Sequence, residues 1–335
     1  MLAVKKQENI VFIKINIEVL APVMFIYLWS IVCWYFRPIV KWLLRHTTQM
    51  CELQRICYGE LPGARRTLAV EESLKLSRNA NIKTLVACLN NFADRRAINK
   101  QTRHKIFKDA IITVLVIKNV NPTAHPDFAK SFGKCIELIW GYKQLCVECE
   151  ELRKTPYDAD DPEHELLLLK LWNLLMPYEP LDARVTKQWQ QIGFQGDDPK
   201  TDFRGMGILG LENLVYFAQE YPSAATHVLS HSTHPRYGYA FAIVGINLTS
   251  MALRLLKDES AKTHIYNSSK TFPTIRSFHQ FYCYLFYEFD GFWIDSKPSN
   301  MMEFSFIQEK FENSIRMALA DKSTIFRINI SVDNV

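Results

Sequence analysis

Residues 189–217 read WQQIGFQGDDPKTDFRGMGILGLENLVYF and join a polar loop to the start of a helix. Asp198 and Pro199 in the loop are typical of turns and of the first positions of helices. The residues after the loop have the apolar spacing of one helical face. We therefore predict a helix that buries a face formed by Leu211, Leu214 and Phe217.

Arg204 separates the polar loop from the predicted helix. At or near the first turn of a helix the backbone dipole is positive, which disfavours a cation. Two alternatives follow from the residues. Arg204 is either a structural arginine paired with Asp198 or Asp202, or it is presented outward to an anion. A guanidinium is planar, permanently charged and matched in geometry to phosphoryl oxygens.

Helical patterns also dominate the chain outside this stretch, and we predict an all-α fold with a multi-helix globular body. Asp161 and Pro162 have the composition of a helix start, and Pro177 marks the end of the apolar run that follows. Residues 111–117, IITVLVI, fit either a strand or a buried helix. Further helices are predicted at residues 71–89, 239–257, 278–294 and 301–319.

The composition is that of an ordinary globular protein and excludes several classes. The chain has 335 residues, 48% hydrophobic and 22% charged. A net charge of +5 is too small to indicate a nucleic-acid-binding protein. Eight cysteines in so long a chain are too sparse for a disulfide scaffold, so we expect reduced thiols and a cytoplasmic location.

An uncharged run of 18 residues, 19–36, lies near the N-terminus and is followed by Arg37, Lys41 and Arg45. The run is near the lower limit for crossing a bilayer. An interfacial membrane anchor, a single span and a buried helix are the three alternatives. We predict a membrane-associating segment at 1–46, a helical body at 47–320 and a disordered tail at 321–335.

Gly205, Gly207 and Gly210 spell GxGxxG, a pattern found in dinucleotide-binding folds. The preceding residues DDPKTDFR are not a buried strand, and residues 221–257 offer no Asp or Glu for a ribose hydroxyl in the expected region. We therefore predict no dinucleotide site. The chain also contains no GxSxG and no GxxxxGK[ST] motif, so no hydrolase or NTPase site of its own is expected.

Two other groups of residues have the spacing of metal or redox sites. His227, His231 and His234 are spaced for a helix face, but no Asp, Glu or Cys nearby in the sequence completes a zinc shell. They are interpreted as surface or capping histidines. Cys146 and Cys149 form CxxC among helix-forming residues, and we interpret them as structural. No metal ion or cofactor is predicted.

Residues 189–214 resemble the signature of the ELMO domain. The matching positions include Trp189, Gly193-Phe194-Gln195, Pro199, Thr201-Asp202-Phe203-Arg204-Gly205, Gly207, Leu211 and Leu214. The resemblance extends to HELLLLKLWNLLMP at 164–177, GYAFAIVGINLT at 238–249 and FHQFYCYLFYEFD at 278–290. It covers residues 24–320 except for a poor match at 85–117, and it is closest to the short ELMO domain-containing proteins.

This resemblance implies a GTPase-activating protein whose partners are small GTPases of the Arf and Arf-like families. The signature arginine of that family is considered a catalytic finger, and it corresponds to Arg204 here. GTP and magnesium would belong to the partner, so the protein would be an activator without an active site of its own. A non-catalytic helical adaptor that binds GTPases or other partners at membranes is the alternative.

The resemblance also assigns expected roles around Arg204 from their positions in the signature. We expect Gln195, Asp198 and Asp202 to orient the guanidinium before docking. The aromatic side chains of Trp189, Phe194 and Phe203 are expected to wedge the loop onto the helical body. Gly205 and Gly207 are expected to leave room for the phosphate loop of a partner.

Overall fold

The computed structural model describes residues 32, 35–94 and 99–328. These residues form α-helices and short 3-10 helices and no β-strand, which confirms the predicted all-α class. A first helix, α1, covers residues 35–48. The others are α2 (Glu52–Gly59), α3 (Ala64–Lys75), α4 (Ala80–Ala93), α5 (Lys100–Lys118), α6 (Pro126–Lys154), α7 (Pro162–Leu175), α8 (Gly207–Glu220), α9 (Pro222–Ser232), α10 (Phe241–Lys257), α11 (Lys262–Ser268), α12 (Ile275–Ser296) and α13 (Phe304–Ala320).

The chain divides into two units, residues 1–55 and 56–335. The uncharged run predicted as an anchor, residues 19–36, lies almost entirely outside the described residues. In the part of the chain that the structure does describe, no helix combines the length and the hydropathy needed to cross a bilayer. The predicted boundary between anchor and body, at residue 46, falls inside α1.

Helix α8 lies at the centre of the second unit and contacts α6, α7, α9, α10 and α12. The predicted apolar face is buried, since Leu211, Leu214 and Phe217 are inaccessible to solvent. Asn213 on the same helix donates to Thr249 of α10 at 3.0 Å and contacts His279 of α12 at 2.6 Å. Because a buried polar group is costly unless paired, these bonds fix how three central helices pack together.

The N-terminal end of α7 shows why some boundaries can be predicted. Asp161 accepts a hydrogen bond from the backbone N–H of Glu163 at 2.8 Å, and Pro162 occupies the first helical position. Both features were expected from the sequence. The helix ends at Leu175, two residues before Pro177, because proline cannot continue the hydrogen-bonding pattern.

Three regions clarify or correct the sequence predictions. The helix predicted at 71–89 is two helices, α3 and α4, since Asn79 caps the second one by accepting from Ile82. Residues 111–117 lie in the helix α5, not in a strand. The tail was predicted to be disordered from 321, but Phe326 stacks on Tyr284 with a ring-centroid distance of 4.4 Å. The ring is half-buried, and the backbone N–H of Phe326 also donates to Nδ1 of His264 at 3.1 Å, so Phe326 is held against the body.

Candidate functional site

The polar loop between α7 and α8 contains two 3-10 helices, Lys187–Ile192 and Pro199–Arg204. The first begins after Thr186 and ends at Gly193, whose φ of 84° belongs to the left-handed region that favours glycine. In the second, the Asp198 side chain accepts from Lys200 N at 3.0 Å. These local caps give the segment before Arg204 a defined backbone.

A chain of aromatic rings attaches this loop to the helical body. Trp172, Trp189, Phe194, Phe203 and Tyr157 follow one another with centroid distances of 5.5, 5.8, 5.7 and 5.3 Å. The two indole N–H groups donate to backbone carbonyls, so the tryptophans are buried without leaving a polar atom unpaired. Three aromatic residues of the signature, Trp189, Phe194 and Phe203, thus lie buried beneath the loop.

Arg204 is the last residue of the second 3-10 helix, and its side chain is exposed. Its Nε donates to the backbone oxygen of Thr201 at 2.9 Å. The α-helix begins three residues later, at Gly207. Arg204 therefore lies near the first turn of α8 but outside it, at the end of a separate helical turn, where the negative end of the dipole accommodates a cation.

The acidic residues near Arg204 form hydrogen bonds with other groups. Asp198 pairs with Arg184 at 3.0 Å, and Asp202 accepts from the backbone N–H of Gln195 at 3.0 Å. Among the described residues, no carboxylate oxygen lies within 4.0 Å of the Arg204 guanidinium. Burial raises the pKa of Asp202, while the Gln195 N–H and the charge of Arg204 act in the opposite direction.

Asp198 and Asp202 therefore affect Arg204 through the backbone that carries it. Asp198 caps the 3-10 helix, and Asp202 ties its middle to the preceding turn. Gln195 takes part through its main chain rather than through its amide side chain. These bonds define the position of the Arg204 Cα atom and leave the end of its side chain free to move.

Arg184 is a residue of this site that the sequence analysis missed. Its guanidinium donates to Glu165 of α7 at 2.5 Å, to Asp198 at 3.0 Å and to the hydroxyl of Tyr157 at 3.3 Å. It thereby connects α7, and Tyr157 in the segment after α6, to the cap of the helix that carries Arg204. A single sequence offers no signal for this, because the partner on α7 lies 19 residues away and follows no local spacing rule.

The two glycines after Arg204 have different surroundings. A Cβ atom at Gly205 would meet no atom within 4 Å, so the expected open space exists there. At Gly207, φ is +54° and a Cβ would lie 2.3 Å from Thr155 O and 2.4 Å from Arg153 O. The expectation that Gly207 leaves room for a partner is wrong, since its missing side chain is what allows α8 to pack against the C-terminal end of α6.

An open groove lies at the C-terminal end of α6, next to the start of α8. Ile208 N donates to Thr155 O at 2.9 Å, which joins the positive end of α8 to the last carbonyls of α6. Thr155 also lines the groove, which has a volume of about 750 Å³. The other lining residues are Cys146, Val147, Glu150, Glu151, Lys154, Pro156 and Lys257.

Comparison with known proteins places this loop inside a shared domain. Residues 147–308 match the ELMO/CED-12 family. The chain is 48% identical to ELMO domain-containing protein 2 of Bos taurus over 308 residues, which is 92% of this chain and 100% of the relative. The chain belongs to the ELMO/CED-12 family.

Other members of the ELMO/CED-12 family are also similar. Identity is 43% to ELMO domain-containing protein 1 of Mus musculus, over 84% of this chain and 88% of the relative. Identity is 34% to ELMO domain-containing protein B of Dictyostelium discoideum, over 83% of this chain and 93% of the relative. These similarities confirm the resemblance to the short ELMO domain-containing proteins found in the sequence.

Two other sequence motifs of this ELMO-family chain, GxGxxG and CxxC, lie in or beside helices. Gly205, Gly207 and Gly210 follow a 3-10 helix, not a strand, as expected from the residues before them. Cys149 is buried inside α6, and burial raises its pKa well above the ordinary value. Burial likewise raises the pKa of Cys146 to about 12. Because the thiolate is the reactive form of cysteine, this burial disfavours reactivity of the CxxC pair at neutral pH.

Proposed function

We propose that this protein activates GTP hydrolysis by small GTPases of the Arf and Arf-like families, and that Arg204 acts in the partner's nucleotide site. One observation carries the proposal. Arg204 is exposed on an anchored loop, and among the described residues its guanidinium has one hydrogen bond, from Nε to Thr201 O. The two terminal amino groups remain available for an anionic ligand.

The chemistry of phosphoryl transfer gives such an arginine a role. As the γ-phosphoryl group departs, charge spreads over its oxygens and the leaving oxygen, and a guanidinium stabilises this charge more than it stabilises bound GTP. An arginine supplied in trans contributes about 10³- to 10⁵-fold in rate, which corresponds to roughly 4–7 kcal/mol. The partner provides the nucleotide, the magnesium ion and the residue that positions water.

The rest of the loop supports this function by limiting motion before binding. The aromatic chain beneath the loop and the Arg184 contacts hold the backbone, so little ordering is needed when the partner docks. Gly205 has open space beside it, which allows the partner's backbone to approach. The groove at the end of α6 lies next to the start of α8, through Thr155 and Ile208, and offers a surface for the partner's body.

A single-turnover assay of GTP hydrolysis tests the proposal. A panel of Arf and Arf-like GTPases loaded with GTP would be mixed with the parent protein, with Arg204→Ala and with Lys200→Ala. Lys200 is a matched control, because it is an exposed cation in the same 3-10 helix. The parent and the Lys200 variant should stimulate at least one GTPase, and Arg204→Ala should not. Binding without any stimulation by the parent would favour the adaptor function.

We also propose that the helix α1 places the protein on the cytoplasmic surface of a membrane. With about 100° per residue, its exposed apolar side chains cover one broad arc, and Arg37, Lys41 and Arg45 occupy the opposite side. This is the pattern of a helix lying in the membrane interface. The exposed apolar side chains are Tyr35, Phe36, Ile39, Val40, Trp42, Leu43 and Leu44.

Flotation with anionic phospholipid vesicles tests the membrane proposal. The triple variant Ile39→Ser, Trp42→Ser and Leu43→Ser should lose flotation, because it removes three large exposed side chains of the apolar arc. Leu61→Ser, at an exposed position outside α1, is the control and should float like the parent. Equal flotation of the triple variant and the parent would exclude α1 as the contact.

A further inference from the structure

A cluster of possible metal ligands lies between α9 and α12. His227 and His231 are one helical turn apart on α9, with ring centroids separated by 4.1 Å. Asp290 of α12 faces them, and its Oδ2 lies 2.7 Å from Nδ1 of His231. The ligand atoms of the three residues all lie within 4.8 Å of one another. Asp290 lies 59 residues from His231 in the sequence. No local spacing rule could therefore have identified it as a third ligand.

Asp290 is held in place as a ligand would be. It is 2% exposed, and its other carboxylate oxygen accepts a hydrogen bond from the Tyr239 hydroxyl at 2.6 Å. Carboxylates that bind metals are commonly oriented by such an outer hydrogen bond. A buried carboxylate also needs a positive partner, because desolvation of an unpaired charge is costly.

The space around the cluster suits a cation. The three residues line a cleft of about 450 Å³ that is open to solvent. Glu288 and Asp295 line it as well, and among the described residues that line it there is no Lys or Arg. An ion at the cluster would therefore gain from the surrounding negative charge and would retain access for a water molecule.

We propose that His227, His231 and Asp290 bind a zinc ion, with a fourth position open to the cleft. Two imidazole nitrogens and one carboxylate oxygen form a donor set typical of Zn²⁺, whereas Mg²⁺ and Ca²⁺ prefer oxygen ligands alone. The third histidine does not belong to the site, since His234 Nδ1 accepts from the backbone N–H groups of Arg236 and Tyr237.

The geometry needs only small adjustments to accept the ion. With bonds of 2.0–2.1 Å, the ligand atoms of a tetrahedral zinc lie roughly 3.3 Å from each other. The 2.7 Å contact between His231 and Asp290 would lengthen, and the widest separation of 4.8 Å would shorten. His227 is exposed, so rotation of its side chain can provide most of this change.

Titration of the full chain with Zn²⁺ alone, after removal of bound metal by a chelator, tests the site. By calorimetry, we expect the parent protein to bind one equivalent of Zn²⁺ saturably at this site. His227→Ala should lower the affinity by at least tenfold without loss of folding, because the residue is exposed. His104→Ala removes another exposed histidine of a helix and should bind as the parent does. Tyr239→Phe should weaken binding by about tenfold, since it removes the outer hydrogen bond.

A second measurement separates this site from adventitious binding by thiols. Co²⁺ in the His-His-Asp site should show tetrahedral d–d absorption without a thiolate charge-transfer band, and His227→Ala should abolish the absorption. A thiolate band would assign the ion to cysteine and overturn the proposal. So would the lack of a saturable equivalent in the parent, or equal affinity of the parent and His227→Ala. These readouts are independent of GTP hydrolysis.

Discussion

Arg184 donates from Nη1 to Oδ1 of Asp198 at 3.0 Å and so holds the residue that caps the helix carrying Arg204. The same guanidinium reaches Glu165 of α7 at 2.5 Å. This connection couples the position of an exposed loop to the buried helical body. It explains how the backbone of Arg204 keeps a defined position, although the Arg204 side chain has a single described hydrogen bond.

Removal of Arg184 should therefore reduce GTPase activation even though Arg204 is intact. We expect Arg184→Ala to lower the stimulated hydrolysis rate by roughly 10- to 100-fold, because small displacements of a catalytic group are costly. Arg254→Ala is the matched control, since it removes an arginine–glutamate pair between α10 and α13. Retention of the full rate by Arg184→Ala would show that its contacts do not position the loop.

The glycines after Arg204 provide a pair of substitutions with very different expected effects on stability. Gly207→Ala should destabilise the fold by about 2–4 kcal/mol, because its φ is +54° and the added Cβ would collide with carbonyl oxygens of α6. Gly205→Ala should change stability by less than about 0.5 kcal/mol, since the added atom enters open space. Urea unfolding of the two variants measures both values. A Gly207 variant as stable as the parent would contradict the packing described here.

Part of this structure follows from local sequence, and part does not. Asp161 and Pro162 define the start of α7 through a cap and a fixed φ, both of which are local effects. The break between α3 and α4 was missed because Asn79 is one residue within an otherwise helical pattern. The partners of Arg184 and of Asp290 lie up to 59 residues away, and only the packing of helices brings them together.

The buried pair of Glu71 and Lys262 links α3 to α11 and should be important for stability. Their atoms are 2.8 Å apart, and Tyr266 also donates to Glu71 at 3.1 Å. Burial acts to raise the pKa of Glu71, but the hydrogen bonds and charges of Lys262 and Lys75 outweigh it and lower the pKa. The contribution of this pair is therefore present at neutral pH and is lost as the pH falls through the lowered pKa.

Glu71→Gln should destabilise the protein by about 2–4 kcal/mol, because it leaves the Lys262 charge buried with fewer partners. The exposed pair of Glu220 and Arg276 is the control, and Glu220→Gln should cost less than about 1 kcal/mol. Thermal unfolding at pH 7 and at acidic pH measures the destabilisation by each variant. The destabilisation by Glu71→Gln should be smaller at acidic pH than at pH 7. Equal losses for the two variants would contradict this account.

The side chain of Glu212 in α8 should affect the stability of the protein with the opposite dependence on pH. Burial and the nearby charge of Glu148 raise its pKa to about 7. The pKa of Glu212 in the folded protein lies above the ordinary value, so the neutral carboxyl group is the form that favours folding. Its contribution to stability is complete at low pH and is lost as the pH rises through 7. Glu212→Gln should therefore be more stable than the parent by about 1–2 kcal/mol at pH 8, after allowance for partial exposure.

This gain at Glu212 should decrease as the pH falls from 7 and should be nearly absent at about pH 4, where the parent side chain is neutral in both states. Glu309→Gln, at an exposed position of α13, should show little change with pH relative to the parent. Denaturant titrations at several pH values provide the comparison. A gain at Glu212 that is independent of pH would show that the charge of this carboxylate is not its cause.

The most direct test of the account compares the rate of hydrolysis with the strength of binding for Arg204→Lys. Lysine keeps the positive charge but lacks the planar fork that contacts two phosphoryl oxygens. At saturating activator in a single turnover, we predict a rate at least about 10³-fold below that of the parent, with affinity for the GTP-loaded GTPase largely retained. Stimulation by Arg204→Lys or Arg204→Ala equal to that of the parent would contradict the central claim.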